Sequence, residues 1–142
     1  MTIHEIDVAL SYASEQDAYV RAVNTSLVRC GIVTFFAPLQ QIDLWGEDLV
    51  IYLDRIYREQ ATICVMFISQ DYVGKVWPIQ ERRSALNRQI EEGSSYILPV
   101  RFDDSPVPGL SSSIHYLRTV DYTPEQLSEA IRLKLRQIKS SQ

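Results

Sequence analysis

Ala61-Thr62-Ile63-Cys64-Val65-Met66-Phe67-Ile68 is an apolar run without the alternation of a strand that faces water on one side. Rich in β-branched residues and bounded by polar segments, it suits a strand covered on both faces. Working outward, three more short runs have the same character: Ile6 to Leu10, Ile32 to Phe36 and Tyr96 to Val100. Between them lie stretches with helical spacing. Ser14-Glu15-Gln16-Asp17 resembles a weak capping box, Val20, Val23 and Leu27 follow on one face, and Gly31 supplies the stop. Gly46 to Gln60 carries Leu49, Leu53 and Ile56 at the same spacing, and Pro78 to Glu92 ends at Gly93, with Pro78 best placed at the first helical position. Thr123-Pro124-Glu125-Gln126 is a fuller capping signal, and Leu127, Ile131, Leu135 and Ile138 make the helix after it amphipathic, so that it docks on the sheet.

Strands alternating with helices imply right-handed βαβ crossovers and an α/β, doubly wound parallel sheet. A fifth, short strand is expected near Arg118 to Asp121, and Phe102 to Tyr116, with Pro106-Val107-Pro108-Gly109 and the serines 111–113, reads as an irregular connection. At 142 residues the chain is expected to form one domain, 1–142, without internal repeats. In a flavodoxin-like order, ligands sit beyond the carboxyl ends of the strands at the switch point between the first and third. That singles out Ser11-Tyr12-Ala13-Ser14 and the segment from Ser69 to Glu81.

Composition narrows the chemistry. Hydrophobic residues make up 46%, charged residues 23%, and the formal net charge is −4. Mild acidity argues against bulk nucleic-acid or anionic-membrane binding, both of which need a basic field. No apolar run approaches a membrane span, and the N-terminus lacks a signal peptide, so a cytoplasmic location is expected. Cys30 and Cys64 stand in apolar surroundings without metal-ligand spacing and read as buried reduced thiols. With only His4 and His115 available, a His-centred metal site or a Ser-His-Asp triad is nearly excluded. Gly-x-Gly-x-x-Gly does not follow the first strand, and no phosphate-binding Gly-x4-Gly-Lys-Ser/Thr occurs. A phosphoacceptor aspartate is missing after the third strand, where Ile68-Ser69-Gln70 stands instead.

What remains is Trp77-Pro78-Ile79-Gln80-Glu81. With a helix starting at Pro78, Glu81 falls in or beside the first turn, where the helix dipole favours the ionised carboxylate, and Trp77 sits at the cap on roughly the same side. Spacing alone leaves two readings open: a carboxylate that serves the dipole beside a packed tryptophan, or a catalytic acid in a crevice.

Three segments in order resemble the Toll/interleukin receptor (TIR) domain, especially its bacterial branch: Asp7-Val8-Ala9-Leu10-Ser11-Tyr12-Ala13, the loop from Pro38 to Leu49, and Trp77-x-x-x-Glu81. The resemblance extends from Ile6 to about Ile138. It implies a flavodoxin-like five-stranded parallel sheet and cleavage of NAD at the nicotinamide–ribose bond, with Glu81 catalytic and no cofactor or metal, NAD being the substrate. It further implies that Ser11, Tyr12, Ala13 and Ser14 approach the nicotinamide ribose, although some relatives have arginines where Ala13 and Ser14 stand. Trp77 matches a pocket aromatic and Trp45 an aromatic at the end of the loop after the second strand. Phe36, Ser69 and Tyr72 are further pocket candidates, and Gln41 and Asp43 are polar candidates from the same loop.

Stand-alone bacterial members resemble the signal-producing component of Thoeris-type antiphage defence, which makes cyclic ADP-ribose isomers for a separate effector. That fold is expected to take up nearly all of the chain, leaving Met1 to Glu5 and Lys139 to Gln142 as expected tails, with no room expected for a sensor or effector domain. The expected partners are NAD, further copies joined by TIR–TIR contacts that complete the active site, and the effector, but neither nucleic acid nor membrane. A non-enzymatic TIR–TIR interaction module and an NAD-depleting hydrolase giving ADP-ribose are the alternatives.

Overall fold

The computed structural model describes residues 5–93 and 96–141, apart from the side chains of Val76 and Trp77. β1 (Ile6–Ser11) and β3 (Ala61–Ile68) lie side by side at the centre of a parallel sheet of order β2-β1-β3-β4-β5, the flavodoxin-like order. β2 (Thr34–Phe35) flanks β1 with Val8 opposite Thr34, and β4 (Ile97–Arg101) flanks β3 with Val65 opposite Leu98. β5 (Leu117–Arg118) closes the far edge. Every residue of β3 is buried, as its unalternating run requires. The edge strands β2 and β5 have only two residues each, which leaves little unpaired backbone for edge-to-edge association.

Two apolar layers cover the sheet. On one face Val8, Leu10, Ile63, Val65 and Phe67 pack against α1 (Asp17–Arg29) through Val20, Val23 and Leu27, and against α6 (Pro124–Ser140) through Leu127, Ile131 and Leu135. On the other, Ala9, Cys64, Met66 and Ile68 meet Leu53 of α3 (Leu49–Arg55), Ile56 and Tyr57 of the π-helical turn Ile56–Gln60, Tyr72 of α4 (Gln70–Gly74) and Ala85 of α5 (Val76–Glu92). A further short helix, α2 (Gln41–Leu44), follows β2 after the 3-10 turn Ala37–Leu39. The Thr123 capping box forms: its side chain accepts from Gln126 N at 3.2 Å, and Gln126 Oε1 accepts from Thr123 N at 2.9 Å.

Several boundaries differ from the sequence reading. Ser14 does not cap α1; it opens a 3-10 turn, and α1 begins at Asp17. The helix expected from Gly46 begins at Leu49, because Asp48 accepts from Val50 N and Ile51 N while Gly46 takes the left-handed φ of +81°. The fifth strand is Leu117–Arg118, and Thr119–Asp121 turns into a 3-10 helix. α5 begins at Val76, so Pro78 lies inside its first turn, where a missing N–H costs no intrahelical bond. Cys64 is buried as expected, but Cys30, at the end of α1, is exposed.

Candidate active site

Glu81 lies in the second turn of α5, two residues further from the helix start than a start at Pro78 would put it. The helix dipole weakens there, and the immediate surroundings take over. The side chain is only 2% exposed, and on the same stripe of the helix Ala85 and Arg88 are buried too. Ser11 Oγ, at the carboxyl end of β1, donates to Glu81 Oε2 at 3.0 Å and lies 2.6 Å from Tyr72 Oη. Tyr57 packs beneath, its hydroxyl donating to Leu10 O at 3.1 Å. Burial holds the hydroxyls of Tyr57 and Tyr72 well above the usual phenol range, with the Glu81 charge adding to it, and raises the Cys64 thiol for the same two reasons.

Glu81 opens onto a cleft of about 450 Å³ lined also by Tyr12, Ser14, Ala37, Pro38 and Gln41. The cleft thus lies beyond the carboxyl ends of β1 and β2, with Glu81 reaching it from α5. Tyr12 forms its wall with a ring stacked on Phe36 at 5.5 Å and 11°. Its hydroxyl donates to Asp17 Oδ1 at 3.0 Å, and Asp17 is in turn bridged to Arg21 at 3.0 Å. Burial and the Asp17 hydrogen bond raise the Tyr12 phenol, and the Arg21 hydrogen bond lowers the Asp17 carboxyl. Tyr12 therefore presents a fixed aromatic face, its proton already committed.

The structure brings some of the expected residues to the cleft and not others. Glu81, Tyr12, Ser14 and Gln41 line it. Ser11 and Ala13 are buried behind it, and Phe36, fully buried, backs Tyr12 instead of reaching the open space. Tyr72 is fully buried behind Ser11. Ser69 caps α4 by accepting from Tyr72 N and donates to Gln16 Oε1, which accounts for its hydroxyl without the cleft. Asp43 is exposed and accepts from Gln40 Nε2 at 3.3 Å, and Trp45 stands 80% exposed; neither lines the cleft of its own chain. The side chain of Trp77 lies outside the described residues. Ala37, Pro38 and the Asp17–Arg21 support were not anticipated. The position of Ala37 and Pro38 just after a strand was the available signal, since ligands gather at such strand ends.

Among the described residues no group of three or more His, Cys, Asp or Glu side chains is placed to hold a metal ion, and no helix is long and apolar enough to cross a membrane. A family profile described as TIR domain matches residues 8–133. The chain belongs to the TIR domain family. Over 133 residues this TIR chain is 41% identical to the 3' cyclic ADP-D-ribose synthase AaTIR of Aquimarina amphilecti, covering 94% of itself and 41% of that protein. It thus spans about two fifths of the length of that curated relative. Among solved structures, the TIR domain of the Toll-related Receptor TRR-2 of Hydra magnipapillata superposes with a TM-score of 0.65 at 18% identity, over 89% of this chain and 98% of that one. The TIR domains of the activated Roq1 resistosome give 0.56 at 22% identity, over 72% and 60%. Both are likenesses of fold.

Proposed function

We propose that this TIR domain cleaves NAD at the nicotinamide–ribose bond with Glu81 as the catalytic carboxylate, and that its product is a cyclic ADP-ribose isomer serving as a nucleotide signal in antiphage defence. The observation that carries this reading is a carboxylate only 2% exposed that nonetheless lines a cleft at the strand ends. Burying a carboxylate costs hydration that its hydrogen bonds must offset, and buried ionisable groups at a cleft concentrate at reactive sites. Kinship with a protein named as a cyclic ADP-D-ribose synthase supports the substrate and the product class.

The leaving nicotinamide already carries positive charge in NAD, so no general acid is needed to expel it, and one carboxylate suffices where ordinary glycoside hydrolysis uses two. As the C–N bond lengthens, positive charge moves onto the ribose, and the ionised Glu81 stabilises that oxocarbenium-like state from a fixed position. The nucleophile then decides the product. Water gives ADP-ribose, whereas the adenine or a ribose hydroxyl of the same molecule closes a ring. The Tyr12 face, backed by Phe36, provides an aromatic surface on which a folded-back adenine is held while water is excluded. Asp43, Trp45 and Trp77 complete the pocket in this reading, Asp43 and Trp45 by serving a neighbouring copy.

That second copy is proposed because the segment from the 3-10 turn after β2 to the start of α3 exposes Leu39, Ile42, Trp45, Val50 and Ile51 beside the cleft. The same exposed surface equally suits an interaction module, which is the alternative reading. A cytoplasmic site of action and a separate effector that senses the product belong to the same proposal. Incubation of the purified protein with NAD, followed by assay of free nicotinamide and mass spectrometry of the nucleotide, tests it. Nicotinamide release with a cyclic isomer in the parent, and loss of release in Glu81→Gln, is the expected result. ADP-ribose alone under every activating condition would remove the signalling part and leave the hydrolase.

A further inference from the structure

Ser11 has a single hydroxyl proton and two polar neighbours. Its Oγ lies 3.0 Å from Glu81 Oε2, to which it donates, and 2.6 Å from Tyr72 Oη. With that proton committed to the carboxylate, Tyr72 is left to donate to Ser11, and the chain runs Tyr72 O–H to Ser11 O–H to Glu81. Both Ser11 and Tyr72 are fully buried, so neither touches a ligand in the cleft. Three separate elements meet in this arrangement: the end of β1, α4 and α5. We propose that Ser11, itself oriented by Tyr72, is a positioning residue that holds the Glu81 carboxylate in its working orientation and in its charged form. The proposal rests on the reading of Glu81 as the catalytic group and gives Ser11 a different role from contact with the substrate ribose.

The direction of the chain follows from chemistry. A carboxylate only accepts, and an unionised phenol still has a proton to give. Burial keeps the Tyr72 phenol protonated far above neutral pH. Hydrogen bonds that end on a charged oxygen are the strong ones, and donors aimed at a carboxylate favour its ionised form. Ser11 is one partner of Glu81 among others. The titratable groups whose values respond to its charge include Tyr12 at the end of β1, Tyr57 in the π-helical turn and Cys64 on β3, all raised, while Arg82 acts on Tyr72 and Arg88 on Cys64 from α5 itself. Asp17, which accepts from the Tyr12 hydroxyl at the cleft wall, is a second carboxylate nearby, so the Glu81 carboxyl signal assigns the shift and the acid limb is read beside it.

Two measurements test this on the intact chain. The first follows the carbon-13 carboxyl signal of Glu81 against pH and needs no turnover: Ser11→Ala is expected to raise the midpoint by about one pH unit, the equivalent of one hydrogen bond to a charged group. The second is kinetic. Ser11→Ala is expected to lower kcat about ten- to hundredfold at nearly unchanged KM and to move the acid limb of the profile upward. Tyr72→Phe is expected to act in the same direction at roughly threefold, and the double variant to match Ser11→Ala alone, because Tyr72 acts through Ser11. A Glu81 midpoint and kcat unchanged in Ser11→Ala, or a loss confined to KM, would overturn the proposal. Where Ser11→Ala does not fold, Tyr72→Phe decides by the same two readouts. If Glu81→Gln keeps parental activity, the reading of the reaction fails whatever the carboxyl titration reports, so the two failures are told apart.

Discussion

Around Glu81 polar groups are buried and held; on the neighbouring α2–α3 flank apolar groups stand in water. Ser11, Tyr72 and Glu81 are each 2% exposed or less, whereas Ile42 and Trp45 are 79% and 80% exposed. The two regions adjoin, since Gln41 of α2 lines the cleft that Glu81 opens onto. Each inverts the usual arrangement of a folded domain, and each inversion has a cost. A buried charge gives up hydration, and an exposed tryptophan gives up burial. What distinguishes them is the kind of work each cost permits: a fixed charge at a cleft favours chemistry on a cation, while exposed apolar area favours association.

The sharpest way to break this contrast is at the charge. Glu81→Gln preserves shape and most hydrogen bonding and removes only the negative charge. Nicotinamide release at equal folded concentration is expected to fall at least about a hundredfold, the usual consequence of deleting a group aimed at the transition-state charge. Activity within about threefold of the parent would mean that the buried carboxylate serves the fold alone.

On the flank the expected effect is smaller and has a different signature. If a neighbouring copy completes the pocket, specific activity rises with protein concentration. Trp45→Asp is expected to weaken self-association roughly thirtyfold, as loss of a hot-spot aromatic does, and to flatten that rise. Turnover that is constant on dilution, in protein shown by sedimentation to be monomeric throughout, would detach the flank from catalysis.

These two regions also differ in how far the sequence revealed them. The sheet was legible because β1 and β3 are continuous apolar runs, and α1 and α6 because their apolar residues recur at helical spacing. α5 gave a weaker signal. Its buried stripe carries Glu81, Ser84 and Arg88, so hydrophobic periodicity says little about which face is inside, and Pro78, which favours the first helical position, points to a start two residues later than Val76. Arg88 is buried because its guanidinium lies 4.0 Å from the Tyr96 ring centroid, donates to Ala61 O and bridges Glu92 at 2.8 Å. Glu92 is a local i,i+4 partner, but the Ala61 carbonyl comes from β3 and the Tyr96 ring from beyond the helix, so the spacing alone does not announce that Arg88 turns inward. For the same reason Phe36 and Tyr72 were assigned to the pocket: being at a strand end is visible in sequence, but which way a side chain turns there is not. Trp45 was legible as an aromatic on a loop, and its exposure follows from the shortness of α2, which buries only Leu44.

Alkaline pH sharpens the contrast further. Burial pushes the Tyr19 hydroxyl up to about 12, with Glu125 adding to it, and holds Tyr57 and Tyr72 well above the usual phenol range. A phenol with a raised value in the folded state keeps a proton that the unfolded chain releases near pH 10, so the unfolded state binds fewer protons in between. The stability from these groups is complete below about pH 10 and is lost as pH rises through their raised folded-state values, about 12 for Tyr19. The tyrosines behind and beneath the cleft are therefore expected to ionise only as the protein unfolds, with tyrosinate absorbance and loss of helical dichroism rising together. Ionisation of all eight tyrosines near pH 10 in a protein with native dichroism would show that the polar layer is open to water.

The smallest expected effect falls on the stability of the flank. Trp45 follows α2, its N–H accepted by Ile42 O at 3.3 Å, and its indole makes little use of the rest of the chain at 80% exposure. Trp45 ends α2 through its backbone N–H, which Asp also has, and substitution of a surface side chain that makes no cap or core contact stays within about 0.5 kcal/mol. Trp45→Asp is therefore expected to leave the denaturation midpoint of dilute monomer essentially where it was, even as it weakens association. Measuring both in the same variant is the point, because exposure in the free chain and burial in an assembly predict opposite sensitivities. A loss of about 2 kcal/mol in the monomer is the size of effect that comes from burying or unburying a large side chain. It would place Trp45 against its own domain in solution and withdraw the flank as a free surface. A neutral monomer with impaired assembly would instead leave the tryptophan with a single physical reason to be there, which is contact with another molecule.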